Sequence, residues 1–125
     1  MGEDLQDWQI FVAYEVRIAV GRRGDAVVVR LTNRGPGEGF SAPLEEAASA
    51  AKEVIRTVDR ADYLEEPVET TLATGARTRL AMSVGRRGAV LRIHSRSGTL
   101  DHILPHGVEL ARDIALAVLQ AAGSS

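Results

Sequence analysis

Residues 8–20 read "WQIFVAYEVRIAV", and in them Trp8, Ile10, Val12, Tyr14, Val16, Ile18 and Val20 alternate with Gln9, Phe11, Ala13, Glu15, Arg17 and Ala19. Seven apolar residues at period two predict one long β-strand with one face on a core. A weaker copy of the pattern follows at Leu72, Thr74, Ala76, Thr78, Leu80, Met82 and Val84. Runs of this length call for a bend or bulge, and Gly75 is the natural place for one.

Both runs end in the same five residues, "VGRRG", at 20–24 and again at 84–88. The glycines suit a tight turn, and "AVVVRLT" and "AVLRIHS" return as second strands, so each copy predicts a β-hairpin. The likeness continues: at an offset of 62, Arg30 falls on Arg92, Leu31 on Ile93, Arg34 on Arg96 and Pro43 on Pro105. The "VGRRG" copies lie 64 apart, which places a two-residue insertion in the first hairpin. A helical pattern follows each hairpin. In the first, Leu44, Ala47, Ala48, Ala51, Ile55 and Val58 form a stripe opposite charged residues. In the second, Ile114 to Ala122 is apolar almost all round, a pattern for a deeply buried helix or one that meets another chain. Pro43 and Pro105 suit the first turns of the two helices.

The expected fold is therefore α+β and two-layered: a four-stranded antiparallel sheet with two helices, from a duplicated ββα unit with pseudo-twofold symmetry. One domain is expected over 1–125, with one copy at about 8–64 and the other at about 68–122. The hydrophobic fraction of 45% and charged fraction of 26% belong to a globular chain. The absence of cysteine excludes a disulfide framework and thiolate chemistry, and with no signal-peptide pattern and no membrane-length apolar run it points to the cytoplasm, with no membrane partner.

Of the 15 basic residues only Lys52 is a lysine, the usage of a GC-rich genome. A net charge of −2 supplies no global field to draw in nucleic acid, so any such binding needs a local patch. The strand pattern supplies one: Arg17, Arg30, Arg77, Arg79 and Arg92 point away from the helices among small and apolar residues, and Arg22, Arg23, Arg86 and Arg87 flank the turns. Arginine beside apolar residues is the chemistry of a protein interface. The resulting expectation is a non-enzymatic protein-association module, homodimeric, contacting its copy through Ile114, Leu116, Val118 and Leu119 and a ligand or partner through the arginine face. The alternative is a nucleic-acid-binding module gripping phosphates with that face and the turns.

Three chemical motifs carry less. The glycines of "NRGPGEGFSAP" (33–43) precede a helix, where backbone N–H groups hold anions, but the Lys-Ser/Thr ending of a phosphate-binding loop is missing. His94, His102 and His106 lie within thirteen residues, and Asp101, His102 and His106 are the candidates for a metal-dependent enzyme. Ser95 and Ser97 lie near His94 without a nucleophile elbow. No catalytic residue and no cofactor is assigned.

Overall fold

The computed structural model of the chain describes residues 6–35 and 37–123, and it splits the opening run in two. Strand β1 (Gln6–Ala13) and strand β2 (Val16–Arg23) form a hairpin around Tyr14 and Glu15. β3 (Ala26–Thr32), β4 (Glu38–Pro43) and helix α1 (Leu44–Asp59) follow, then a short 3-10 turn (Ala61–Tyr63). The second half repeats the order with β5 (Val68–Gly75), β6 (Thr78–Gly85), β7 (Gly88–Ser95), β8 (Gly98–Ile103) and helix α2 (Glu109–Ala121). All eight strands join one antiparallel sheet in sequence order.

The expected four-stranded sheet of ββα units is thus corrected to an eight-stranded sheet in which each half contributes four strands and a helix. Three physical reasons account for the missing strands. The turns inside the long runs carry no turn signature: Tyr14 (φ 57°) and Arg77 (φ 60°) take left-handed conformations that favour glycine or asparagine. A two-residue loop also lets the alternation run on without a break, so a hairpin imitates one strand. Meanwhile β4 and β8 lie in segments whose glycines read as loop. Gly75 is not a bulge; a Cβ there would sit 2.6 Å from Thr78 Oγ1 and 3.0 Å from the Gly39 carbonyl oxygen, so it permits β4 and β5 to approach.

The hidden turn has a second consequence. In a two-residue hairpin Ala13 faces Val16 across the ladder, Phe11 faces Ile18 and Val12 faces Arg17. Even-numbered residues of β2 from Val16 to Val20 point at the helices, but the even-numbered residues Ile10 and Val12 of β1 point away. Val16, Ile18 and Val20 enter the core, whereas Ile10 and Val12 stand on the outer face, 58% and 61% exposed.

Pairing also settles what the repeated pentapeptide does. Adding 62 to both members of a β2–β3 pair gives a β6–β7 pair: Arg17↔Thr32 becomes Arg79↔His94, and Arg23↔Ala26 becomes Gly85↔Gly88. No insertion separates the hairpins. In the first copy "VGRRG" ends a strand and the loop is Gly24 and Asp25; in the second the loop is Arg86 and Arg87.

The core lies between the inner face of the sheet (Ile18, Val20, Val29, Leu31, Leu80, Met82, Leu91, Ile93) and the two helices. α1 packs chiefly on β5 and β6 and α2 on β2 and β1, so each helix serves mainly the strands of the other half, and the two helices pack on each other. α2 is therefore covered from two sides by its own chain, which explains its near-continuous apolar surface. Pro43 directly precedes α1, with Glu45 and Glu46 in its first turn. Pro105 does not start α2: His106 (φ 63°) and Gly107 (φ 69°) are left-handed, and the helix begins only after Val108. No helix among the described residues is long and apolar enough to cross a membrane.

Candidate interaction surface

The outer face of the sheet differs between its halves. In the second half Glu69 of β5 is a hub. Arg79 Nη1 (3.3 Å) and Arg92 Nη1 (3.2 Å) donate to its carboxylate, and His94 Nε2 lies 2.7 Å from it. Arg92 also grips Asp101 of β8 with two parallel bonds, Nε to Oδ1 at 2.7 Å and Nη2 to Oδ2 at 2.9 Å. Arg79 Nη1 donates further to Thr71 Oγ1 at 2.9 Å. The side chains roof over Ala81 and Ser83, both buried although they belong to the outer face.

The electrostatics follow from this geometry. Hydrogen bonding to Asp101 raises the pKa of the Arg92 guanidinium. The same bond, against the opposing effect of burial, holds the Asp101 carboxyl below its ordinary 3.8. Burial alone would raise Glu69, but His94, Arg92 and Arg79 together outweigh it and leave its pKa below 4.5. Two of the four arginines on this face, Arg79 and Arg92, are thus held by carboxylates of their own chain. A shallow cleft of about 420 Å³ lies beside them, with Pro67, Ser83, Arg86 and Arg92 among its walls.

In the first half the same places hold different residues. Arg30 is the counterpart of Arg92 and pairs across the ladder with Gly39, where Arg92 has Asp101. Without that carboxylate its guanidinium lies over the Trp8 ring, 5.5 Å from the centroid. Beside it Ile10, Val12 and Tyr14 are exposed.

The two halves meet at β4 and β5 through one bridging pair, Ser41↔Thr74. At the offset of 62 the counterparts are Ile103 of β8 and Val12 of β1, and these strands are the two unpaired edges of the sheet. A cleft of about 350 Å³ lies there, between residues 13–16 and residues 101–103. Of the seven large apolar side chains exposed among the described residues, five (Ile10, Val12, Tyr14, Leu100 and Ile103) belong to these edges and the turn after β1. An apolar concentration of this kind marks an interaction surface more than scattered residues do.

The residues singled out in the sequence fall as follows. Ile114, Val118 and Leu119 are buried under α1 and the sheet, and only Leu116 of that set is exposed. Arg17, Arg30, Arg79 and Arg92 lie on the outer face, while Arg77 sits in the loop between β5 and β6. Arg22 and Arg23 belong to β2, with Arg22 Nε donating to the Gly24 carbonyl at 2.9 Å; Arg86 and Arg87 form the opposite loop. Asp101 and His102 point to opposite faces of β8 and His106 lies in the turn before α2, so the three do not converge. Among the described residues no group of three potential metal ligands is found. Residues 33–43 are mostly strand β4, which separates Gly35 and Gly37 from the start of α1, and Arg34 pairs with Glu15 at 2.9 Å.

Sequence reasoning missed Glu69 as the hub and the exposure of Ile10 and Val12. Only the pairing of distant strands brings Glu69 to Arg92. The second was one turn away from legible, since a loop at Tyr14 and Glu15 inverts the facing of β1. Comparison with protein-family models, with curated proteins and with solved structures finds no match to this chain.

Proposed function

We propose that the chain is a protein-association module that joins a second copy of itself through the apolar surface of β1 beside the open edge of β8. The observation behind this reading is that β1 is apolar toward both faces. Phe11 and Ala13 turn to the core, and Ile10 and Val12 turn outward at 58% and 61% exposure. A strand with apolar residues on both faces has the composition of one covered on both sides. The expected contact through α2 moves to β1, because Ile114, Val118 and Leu119 are occupied by their own chain. Phosphate binding draws less support, since Arg79 and Arg92 already meet Glu69 and Asp101.

Sedimentation equilibrium over a wide concentration range, at low and high salt, tests the reading. A dimer whose affinity barely changes with salt is the expected result, because apolar burial is not screened as exposed charge is. Ile10→Glu removes a side chain whose burial contributes about 1.5–3 kcal/mol, so the variant dimer should be at least roughly tenfold weaker. A wild-type chain that stays monomeric throughout overturns the proposal.

A further inference from the structure

Resting on that reading, we infer how the copies join: β1 pairs antiparallel with β1 of the second copy, centred on Ile10, and the two sheets become continuous. The backbone sets the register. A two-residue loop closes on a hydrogen-bonded pair, here Ala13 and Val16, so residues 9, 11 and 13 spend their N–H and C=O groups on β2. The loop at Gly24 and Asp25 imposes the complementary phase on β2, whose odd-numbered residues bond to β3. The backbone groups of Ile10 and Val12 therefore point off the edge of the sheet, whereas a register shift between Gln6 and Gln9 interrupts the alternation at Trp8. An antiparallel partner centred on Ile10 satisfies the outward groups of Ile10 in both chains at once and brings Val12 beside the irregular stretch at Trp8 of the other copy.

The side chains agree with this register. It sets Ile10 opposite Ile10 and Val12 opposite Trp8 of the second copy on the outer face, β-branched and aromatic cross-strand pairs that are favourable in antiparallel sheets. No charged residue and no proline interrupts residues 8–13, and the one irregularity of this edge, the register shift between Gln6 and Gln9, lies at its start and leaves Gln9 to Ala13 in regular pairing.

The other edge does not offer the same solution. The loop at Arg96 and Ser97 turns the backbone groups of Thr99, Asp101 and Ile103 outward on β8. Self-pairing centred there sets Asp101 against Asp101, a like-charge pair, and that carboxylate is already held by Arg92. Pairing β1 with β8 of another copy is a head-to-tail contact, which propagates into a ring or an open filament instead of an isologous dimer.

Because the chain has no cysteine, single introduced thiols report the register without ambiguity. Opposed Cα atoms in a hydrogen-bonded antiparallel pair are about 5.5 Å apart, within the roughly 4.4–6.8 Å that a disulfide spans. Ile10→Cys should form a covalent dimer under mild oxidation. Val12→Cys alone should not, because its two copies lie four residues apart along the paired strands, roughly 13 Å. A mixture of Trp8→Cys and Val12→Cys chains should cross-link to each other. Ile10→Pro removes one outward donor per chain while sparing the β1–β2 bonds; it should weaken the dimer roughly tenfold or more and leave a folded monomer by circular dichroism. A wild-type dimer that Ile10→Cys does not cross-link, or that Val12→Cys cross-links alone, overturns edge pairing and leaves self-association standing. A wild-type monomer overturns both.

Discussion

Arg30 and Arg92 occupy the same place in the two halves of the sheet and make opposite contacts. Arg92 faces Asp101 and reaches Glu69, and with Arg79 and His94 it closes a polar network over its half. Arg30 faces Gly39 and lies on Trp8, beside a strand that turns Ile10 and Val12 to the outside. One ladder register therefore carries two surfaces: one whose charges satisfy each other, and one whose apolar residues lack a cover. Fold register and surface chemistry are separable because a strand's two faces are chosen independently, residue by residue.

The largest expected effect strikes the shared core. Ile114 of α2 packs under the first half, and Ile114→Ala should cost about 2–5 kcal/mol, read from chemical denaturation. Because each helix serves mainly the other half's strands, the loss should appear as one cooperative transition; separate unfolding of the halves would contradict the packing described. Next comes the hub. Glu69→Ala strips Arg79, Arg92 and His94 of a common acceptor and should cost about 1–2 kcal/mol, softened because the network is partly solvated. The same change should leave association through β1 unaltered.

Acid should separate the halves by a smaller margin. Glu69 and Asp101 both have folded pKa values depressed below 4.5 and 3.8. Their contribution is complete above those unfolded-state values and is lost as pH falls through the lower folded ones. Thermal unfolding between about pH 5 and pH 2 should therefore fall less steeply for Asp101→Asn than for the wild type; equal slopes would mean that the pair contributes no differential stability. The smallest effect would come from making the first half resemble the second. A Cβ at Gly39 meets nothing within 4 Å, so Gly39→Asp has room to offer Arg30 a carboxylate. A gain of at most about 1 kcal/mol is expected, with quenching of Trp8 fluorescence altered as the guanidinium leaves the ring.

Much of the architecture was legible because local patterns report local structure. The inner-face residues Val16, Ile18, Val29, Leu31, Leu80, Met82, Leu91 and Ile93 read as core from period two alone, and all are buried. The first helix was legible from the stripe of Leu44, Ala47, Ala51 and Val58. The turn at Tyr14 and Glu15 was not, because neither residue is a turn former and the alternation runs straight through. Reading that stretch as one strand counted Ile10 and Val12 with the core and took the sheet to be half its size. The repeated "VGRRG" suggested matching turns, yet pairing shifts the two copies by two residues against each other. A short identity constrains composition, whereas hydrogen-bond register constrains position.

By itself, then, the sequence determined that β2, β3, β6 and β7 extend, that two segments coil, and which residues of those four strands turn inward. Those choices depend on neighbours within a few residues. Tertiary structure alone decided that α2 is covered by α1 and the first-half strands, that Glu69 meets Arg92 twenty-three residues away, and that β1 and β8 remain edges. Each depends on which distant strands and helices meet, and side-chain periodicity carries no information about partners.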